Sequence, residues 1–310
     1  MSTGKHIYHI VEHSPRGTIF GLCKSLHGKD DQRLIYMPEA KIEFNELKFG
    51  YKDCIYVIHT TGRETEILER CVELLPFHFV FLFLHVSLDY MRYMKRDGML
   101  SRFVHYQKLG VYFLVPCVAI KDQLSMMGVN SAVVQMGISQ PTIRATHLYD
   151  QYKNRIITCC SEDTDEYRYV KGIDLFESFV VKNKLQDDSL IVGASSSINS
   201  IECCQLSHDE FMVVLSTAKV YVQFSRFEAY NVTAMEAKRL KIPVVLLDVE
   251  GVGENVKYGC VCKNVSEMEH NICKVIREGY SPFLLEKNYL DSASRENVDV
   301  FAAQIRCATS

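Results

Sequence analysis

Two glutamates, Glu228 and Glu236, are candidates for a functional site, and the Glu228 carboxylate could accept hydrogen bonds from a hydroxylated ligand. Glu236 lies four residues after Val232 and four before Leu240, so it shares their face of a predicted helix. That face should pack against a sheet, where a carboxylate needs a partner. The alternatives are a surface ion pair between Glu236 and Arg239, and a helix-end contribution of about 0.3–1 kcal/mol from Glu228.

The segment around these glutamates, residues 219–253, reads as a strand–helix–strand unit. Residues 220–224 are β-branched and aromatic, as in a buried parallel strand. Asn231 is well placed to cap the helix that follows, and residues 244–247 form the next strand. Glu228 therefore falls where the first strand ends, which is the edge at which open α/β sheets bind their ligands.

The spacing of the two glutamates resembles the E-x7-E signature of retaining glycosyltransferases with the GT-B fold, most closely those of family 4. Seven residues separate Glu228 from Glu236, and Ala237 follows the second glutamate, as in that signature. The resemblance covers residues 151–310 almost throughout and the first half more loosely. Its other matching segments are Lys171-Gly172-Ile173-Asp174-Leu175-Phe176, Val192-Gly193, Ala218-Lys219-Val220-Tyr221-Val222-Gln223-Phe224-Ser225 and Pro243-Val244-Val245.

The resemblance implies roles for the matching residues. Lys171 would neutralise the donor diphosphate, Glu236 would hold the ribose hydroxyls and Glu228 would face the donor sugar. Arg168 is the nearest candidate for a second cation on the diphosphate, and His85 stands where the family places a histidine facing the sugar. The other donor-binding candidates are Gly17, in the loop after the first strand, and Ser225, Ala229, Tyr230, Asn231 and Val232. The turn after Glu228 reads Ala229-Tyr230-Asn231, where the family often has Gly-Phe-Gly.

Composition indicates a globular protein of the reduced cytoplasm. The 310 residues are 47% hydrophobic and 24% charged, and the net charge of −3 is too mild for nucleic-acid binding. The twelve cysteines include no C-x-x-C pattern and no zinc-ligand spacing, so they predict apolar fillers rather than disulfides. The N-terminus has no apolar signal core, and the most apolar run, residues 77–86, is about half a membrane span. We expect a cytoplasmic protein with no nucleic-acid partner.

Strands and helices alternate along the chain, which predicts an α/β fold with mostly parallel sheets and helices on both faces. We expect two doubly wound, Rossmann-like domains facing each other across a cleft. Residues 1–150 would form the acceptor-side domain and residues 151–310 the donor-binding domain, with a final helix at residues 288–307 returning toward the first. The other predicted strands are residues 6–11, 34–37, 55–59, 79–85, 111–116, 132–136, 156–161, 190–193 and 201–205, and the other predicted helices are residues 63–75, 120–127, 208–217 and 266–278.

Residues 89–108 form a predicted polar helix with two interpretations. Aromatic, methionine and leucine side chains are interleaved there with basic ones, which are Arg92, Lys95, Arg96, Arg102 and Lys108. The plain interpretation is a solvated helix face. The other is an interfacial helix that contacts a membrane or an anionic acceptor through residues 92–108.

The resemblance implies a retaining glycosyltransferase that moves a sugar from a nucleoside-diphosphate donor to a glycan or lipid-linked acceptor, and we expect no metal cofactor. Positioning and charge stabilisation of the leaving diphosphate would carry the reaction, with no protein nucleophile. A metal-dependent sugar transferase is one alternative, since Asp163-Thr164-Asp165 is a D-x-D match in the acidic loop, residues 162–166. A non-catalytic partner protein with the same fold is another, favoured by the altered turn at Ala229 and Asn231.

Overall fold

The computed structural model describes residues 7–11, 32–36, 54–60, 72, 75, 78–134, 143, 147–255 and 259–278. The described residues form two compact units, one that ends at residue 134 and one that begins at residue 143. Each unit contains a parallel sheet, so the predicted α/β fold with two parallel sheets is confirmed. Gly17, most of the predicted helix at residues 63–75 and the predicted final helix at residues 288–307 lie outside the described residues. The assignment of residues 1–150 to an acceptor-side domain and of residues 151–310 to a donor-binding domain stays a prediction.

The first unit is built on a parallel sheet. Its described strands are β1 (Ile7–Val11), β2 (Gln32–Tyr36), β3 (Ile55–Thr60), β4 (Phe79–Leu84), β5 (Tyr112–Val115) and β6 (Ser131–Val133), and its described helices are α1 (Leu88–Tyr93), α2 (Asp97–Lys108) and α3 (Val118–Met126). The strands pair in the order β2-β1-β3-β4-β5-β6. Every residue of β1 and β3 is buried, as in a sheet covered on both faces. The strand order reverses between β1 and β3, which makes that gap the topological switch point.

The single helix predicted for residues 89–108 is wrong, because the chain turns sharply between α1 and α2. The Ser87 hydroxyl caps α1 by accepting from the Tyr90 amide at 3.0 Å. Lys95 then has a φ of 54°, a left-handed conformation that an α-helix cannot contain. Lysine has no special preference for that conformation, so the sequence does not mark the break.

Most of the large apolar side chains of α1 and α2 belong to the core of the first unit. Met91 and Phe103 are fully buried, and Met99 and Leu100 are 3% and 5% exposed. These side chains are not available to enter a membrane surface, which favours the solvated-face interpretation. Among the described residues, no helix is both long enough and apolar enough to span a bilayer. A membrane contact through residues 92–108 stays a prediction.

The second unit is built on another parallel sheet. Its described strands are β7 (Ile156–Cys159), β8 (Ser189–Val192), β9 (Glu202–Cys204), β10 (Val220–Gln223), β11 (Val244–Leu247) and β12 (Cys260–Cys262). They pair in the order β12-β11-β10-β7-β8-β9, so the switch point lies between β7 and β10. Its described helices are α4 (Asp165–Lys171), α5 (Ile173–Lys182), α6 (His208–Leu215), α7 (Val232–Arg239), α8 (Val252–Asn255) and α9 (Val265–Glu278).

Strand β10 shows that this second sheet is covered on both faces. Val222 and Phe224 pack in one cluster with Phe176 of α5 and with residues of α9. Tyr221 packs in the opposite cluster with Ala234 of α7 and with residues of α6. Successive side chains of a strand point to opposite faces, so β10 packs between two layers of helices. The polar turn that follows β10 begins where this stretch of buried residues ends.

Candidate functional site

Lys171 and Glu228 form an ion pair at the carboxyl edge of the second sheet. Lys171 Nζ donates to Glu228 Oε2 at 2.6 Å, and the Ser225 hydroxyl donates to the same oxygen at 3.4 Å. Lys171 ends the helix after β7, and Glu228 follows β10, so the pair joins the two strands of the switch point. The Lys171 and Glu228 side chains are 22% and 11% exposed. The structure thus brings together three residues that the sequence predicted at one site.

The surroundings of Lys171 favour its charged form. Burial opposes the ammonium charge, but the carboxylate of Glu228 outweighs burial through its charge and its hydrogen bond. Together they raise the pKa of Lys171 above its ordinary value of 10.5. Lys171 therefore offers a permanent positive charge at neutral pH.

A close approach between α4 and the end of β10 places Lys171 beside that turn. Gly172, between α4 and α5, has a φ of 66°, and a Cβ on it would lie 2.0 Å from the Phe224 carbonyl oxygen. Only glycine combines this conformation with this contact. Gln223 Nε2 also donates to the Lys171 carbonyl at 2.9 Å, which satisfies an acceptor that the end of the helix leaves unpaired.

Arg226, which sequence reasoning missed, ties the turn before Glu228 to α4 and α5. Its guanidinium donates two hydrogen bonds of 2.7 Å to the Asp174 carboxylate and lies 4.0 Å from the centre of the Tyr169 ring. Its amide donates to the Val170 carbonyl at 2.8 Å. A bidentate carboxylate and an aromatic face hold a planar guanidinium in one orientation. Arg226 and Asp174 are 52 positions apart, so no local pattern marks the contact.

A buried polar cluster lies next to the ion pair. The Tyr221 hydroxyl donates to Gln223 Oε1 at 2.6 Å and lies 3.3 Å from Cys159 Sγ, which in turn lies 3.7 Å from the Thr233 hydroxyl. Burial raises the pKa of Tyr221 well above its ordinary value and raises the pKa of Cys159. Both groups are therefore neutral at neutral pH. Because Gln223 also binds the Lys171 carbonyl, this cluster supports the lysine backbone.

Glu236 is buried on α7, as predicted, and its partner is His208 at the start of α6. Glu236 Oε1 lies 2.8 Å from His208 Nε2, with the glutamate side chain 9% exposed and the imidazole 62% exposed. Glu236 is therefore not the exposed carboxylate that the alternative pair with Arg239 requires. The hydrogen bond to Glu236 raises the pKa of His208, although burial acts in the opposite direction. Sequence reasoning missed His208, which lies 28 positions away.

Arg168 lies on α4 before Lys171, and its guanidinium binds the loop after β8. It donates to the carbonyl and the hydroxyl of Ser195, and it lies 3.3 Å from Glu177 Oε1 and 3.9 Å from Asp163 Oδ1. Glu177 is buried and also accepts from the hydroxyls of two serines in the same loop. Through these contacts Arg168 stabilises that loop. The binding of a diphosphate by Arg168 stays a prediction.

The turn after Glu228 leads directly into a capped helix. Asn231 Oδ1 accepts from the Ala234 amide at 2.8 Å, which confirms the predicted cap of α7. The Glu228 amide donates to Glu250 Oε2 at 3.0 Å. The remaining predicted residues of this turn are Ala229, which is buried, Tyr230, which is half-buried, and Val232, which begins α7.

The acidic loop, residues 162–166, stabilises the start of α4. The Thr164 hydroxyl accepts from the Tyr167 amide at 3.2 Å, and Asp165 lies in the first turn, where a negative charge is favourable. Asp163 Oδ1 accepts from the Ser195 hydroxyl at 3.1 Å. Within the described ranges, no three His, Cys, Asp or Glu side chains are grouped so that they could hold a metal ion. The absence of a metal cofactor stays a prediction.

His85, the histidine predicted to face a sugar, belongs to the first unit and follows β4. Its Nε2 lies 2.7 Å from Nδ1 of His59 on β3, and Nε2 of His59 lies 3.0 Å from Nδ1 of His9 on β1. His9 and His59 are each 1% exposed, and His85 is half-buried. Sequence reasoning singled out only His85. The signal that it missed is a histidine in or directly after each of three buried strands, β1, β3 and β4.

Neither a protein-family model nor a curated protein sequence matches this chain. Solved structures of GT-B glycosyltransferases do match it at low identity. An α,α-trehalose-phosphate synthase from Burkholderia vietnamiensis is 12% identical, with a TM-score of 0.67 over 98% of this chain and 99% of that one. The N-terminal domain of trehalose-6-phosphate phosphatase from Candida albicans is 14% identical, with a TM-score of 0.65 over 98% and 96%.

Larger proteins match over part of their length. S. aureus TarM is 16% identical, with a TM-score of 0.56 over 85% of this chain and 56% of that one. A chain of the GtfA/B complex is also 16% identical, with a TM-score of 0.54 over 86% of this chain and 61% of that one. This chain therefore spans less than two thirds of these two relatives. At such identities the likeness shows the fold alone, and the fold of this chain is that of the GT-B glycosyltransferases.

Proposed function

We propose that this protein is a retaining glycosyltransferase, which transfers a sugar from a nucleoside-diphosphate donor to a glycan or lipid-linked acceptor. The observation that carries the proposal is the Lys171–Glu228 ion pair at the switch point of the second sheet. Open α/β sheets bind ligands outside the carboxyl ends of their strands at that point. A compact, partly buried ammonium there supplies the charge that a diphosphate needs.

In this proposal the diphosphate takes the place of Glu228 as the partner of Lys171. Because Lys171 is already charged, it stabilises the negative charge that grows on the leaving diphosphate as the bond to the sugar breaks. Glu228, once released, is an acceptor for a hydroxyl of the donor sugar. Ser225 and the capped turn at Asn231 hold the backbone around Glu228. Catalysis then comes from positioning and electrostatics, with no protein nucleophile.

The ribose is assigned to Glu236. His208 holds Oε1 of this carboxylate at 2.8 Å and so orients its second oxygen, Oε2, as the acceptor for a ribose hydroxyl. A buried carboxylate that faces hydroxyl groups keeps its charge satisfied when the ligand is bound. Two residues of one short segment, Glu228 and Glu236, would thus bind opposite ends of the same donor.

UDP is the first nucleotide to test. The Burkholderia trehalose-phosphate synthases are described as UDP-forming, and the structure of the pneumococcal O-GlcNAc transferase GtfA contains UDP and GlcNAc. Retention of configuration is proposed from the E-x7-E resemblance. The proposed acceptor is a glycan, which would be lipid-linked if residues 92–108 contact a membrane. The resemblance also assigns His85 of the first unit to face a sugar.

Calorimetric titration with UDP tests the assignment of Glu236. Glu236→Ala should weaken UDP binding by about 1.5–3 kcal/mol, the value of hydrogen bonds to a charged group, or roughly 10- to 150-fold. Glu269→Ala is the matched control. Glu269 also pairs with a basic side chain, Lys182 at 2.5 Å, but Glu269 lies on α9, outside the proposed site. Its UDP affinity should equal that of the unaltered protein. If UDP and the other nucleoside diphosphates do not bind, or if Glu236→Ala binds UDP normally, the assignment is wrong.

Turnover separates the enzyme from a non-catalytic partner protein. Incubation with UDP-sugars and candidate glycan acceptors should yield a product whose anomeric configuration, read by NMR, equals that of the donor. Tight nucleotide binding without transfer or hydrolysis of any UDP-sugar would favour the partner protein. A product of opposite configuration would refute the retaining mechanism.

A further inference from the structure

Glu250, in the loop after β11, binds the main chain of Glu228. The Glu228 amide donates to Glu250 Oε2 at 3.0 Å, and Oε1 of the same carboxylate is buried as well. A hydrogen bond from an amide to a carboxylate is roughly twice as strong as one to a neutral acceptor. The two residues are 22 positions apart, and they follow neighbouring strands of the second sheet.

The turn that carries Glu228 is bound to the segments on both sides of β10. On the side of β7, the Arg226 amide donates to the Val170 carbonyl of α4 at 2.8 Å. On the side of β11, the Glu228 amide donates to Glu250. Because β10 lies between β7 and β11 in the sheet, these two contacts restrain the turn from opposite sides. Removing the Glu250 carboxylate would release one of these sides.

Glu250 makes this contact from a backbone conformation that glutamate disfavours. Its φ is 50°, in the left-handed region. The Val252 amide donates to the Val249 carbonyl at 3.1 Å, which closes a turn with Glu250 as its second residue. Turns with a positive φ at that position are dominated by glycine, asparagine and aspartate. A glutamate there lowers the stability of the fold, and it persists only where the surrounding contacts maintain it.

Within the described ranges, the other non-glycine residues with a positive φ have an ordinary explanation. Each directly follows the C-cap of an α-helix or 3-10 helix, where the left-handed conformation is common, and they are Lys95, Asn154, Lys184 and Lys241. Glu250 instead follows a strand, β11, and precedes α8. Its conformation is therefore not explained by the end of a helix. Strained residues of this kind are concentrated at functional sites.

We propose that Glu250 is a positioning residue, which fixes the main chain of Glu228 so that the Glu228 carboxylate is correctly placed toward the donor sugar. The proposal rests on the proposed function for the role of Glu228 itself. Glycine at position 250 would relieve the backbone, but it could not bind the Glu228 amide. Stability should therefore follow the backbone at position 250, whereas turnover should follow the carboxylate.

Amide hydrogen exchange of the whole protein, read by NMR, tests the contact without any ligand. In the unaltered protein the Glu228 amide should exchange slowly, because it is bound to a carboxylate. In Glu250→Gly its exchange should be faster by about 10-fold or more. Glu250→Gln keeps an acceptor oxygen and should keep most of the protection. An exchange rate of the Glu228 amide in Glu250→Gly equal to that of the unaltered protein would overturn the proposal.

Comparison of glycine with alanine separates the backbone of residue 250 from its carboxylate. Both Glu250→Gly and Glu250→Ala remove the carboxylate, but only glycine adopts a φ of 50° without strain. Tm should be about 2–4 °C higher for Glu250→Gly than for Glu250→Ala. Lys241, which is exposed and has a φ of 62°, provides the matched control. Lys241→Gly and Lys241→Ala should show the same order of Tm and should leave turnover unchanged.

A kinetic experiment tests the link to turnover. With a UDP-sugar that the unaltered protein uses, Glu250→Gly and Glu250→Ala should both lower kcat and kcat/KM by about 10- to 100-fold, as loss of a supporting partner does at other sites. Glu250→Gln should lower them by less than about 10-fold, because its amide oxygen still accepts a hydrogen bond. The affinity for UDP should change by less than about 3-fold, since Lys171 is unaltered.

Two kinetic results would overturn the proposal. In one, kcat follows Tm, so that Glu250→Gly is clearly more active than Glu250→Ala, which is the result of a purely structural role. In the other, Glu250→Gly binds UDP more than about 10-fold more tightly than the unaltered protein, and Glu250 is then an obstacle to the diphosphate. If the unaltered protein uses no UDP-sugar, the proposed function fails. Exchange of the Glu228 amide still decides whether Glu250 fixes that main chain.

Discussion

Replacing Glu228 with glutamine removes one negative charge from Lys171 and keeps the shape of the side chain. Glu228 Oε2 accepts a hydrogen bond from the Lys171 ammonium at 2.6 Å. A diphosphate that binds Lys171 must displace this carboxylate and must also approach its charge. Glu228→Gln should therefore bind UDP more tightly than the unaltered protein, although it should turn over a UDP-sugar more slowly.

The size of the effect follows from the burial of the pair. Exposed ion pairs contribute about 0.2–1 kcal/mol, and breaking a fully buried pair costs about 3–5 kcal/mol. With side chains 22% and 11% exposed, the Lys171–Glu228 pair lies between these cases. Displacing Glu228 should cost about 1–2 kcal/mol, so its removal should tighten UDP binding by roughly 5- to 30-fold. The same change should reduce the extra affinity of a UDP-sugar over UDP, because the proposed contact with the sugar is lost.

Calorimetry with UDP and with a UDP-sugar measures both quantities. Glu269→Gln is the matched control, since Glu269 binds Lys182 at 2.5 Å but that lysine side chain is 66% exposed. Its affinities should equal those of the unaltered protein. Equal or weaker UDP binding by Glu228→Gln would refute the reasoning, because Lys171 would then not be the group that the diphosphate takes from Glu228.

Gly172→Ala should lower the free energy of unfolding by about 2–4 kcal/mol, because its φ of 66° and the Phe224 carbonyl 2.0 Å from the new Cβ both oppose a side chain. Gly98→Ala on α2, with open space around its Cβ, should change it by less than about 1 kcal/mol, and equal effects in urea unfolding would contradict this account. His208→Gln should lower Tm most below pH 6.5. Glu236 raises the pKa of His208, so the stability that this pair contributes is complete below the ordinary pKa of histidine. That stability is lost as the pH rises through the higher pKa of His208 in the folded protein. A loss of Tm that grows with pH would contradict that pairing. Turnover should persist in excess chelator and after both aspartates of the acidic loop are changed to alanine, and a loss that magnesium or manganese restores would move the site to that loop.

The features of the second unit that sequence predicted are those decided by neighbouring residues. The strand at residues 220–224 and the cap at Asn231 follow from patterns only a few positions long, and the structure confirms both within a residue. The meeting of Lys171 with Glu228 is a longer-range result. The resemblance to the E-x7-E signature assigned both residues to one donor site, and the structure brings them together because both follow strands whose carboxyl ends meet at the switch point.

The partners that sequence reasoning missed depend on strand order and helix packing. Nothing near Glu236 indicates His208, because the contact needs α6 and α7 to lie side by side on one face of the sheet. The contacts among His9, His59 and His85 need β1, β3 and β4 to be neighbours, and many orders of parallel strands are compatible with the same local patterns. A histidine in or directly after each of these strands was visible, but the hydrogen bonds between them were not.

The Lys171–Glu228 pair suits the exchange of one anionic partner for another. In the proposed function a phosphate replaces the Glu228 carboxylate, while Lys171 stays protonated with either partner, so the local charge changes little on binding. The sugar of the donor becomes positively polarised as it leaves the diphosphate. A positive charge on the diphosphate side therefore favours the proposed reaction.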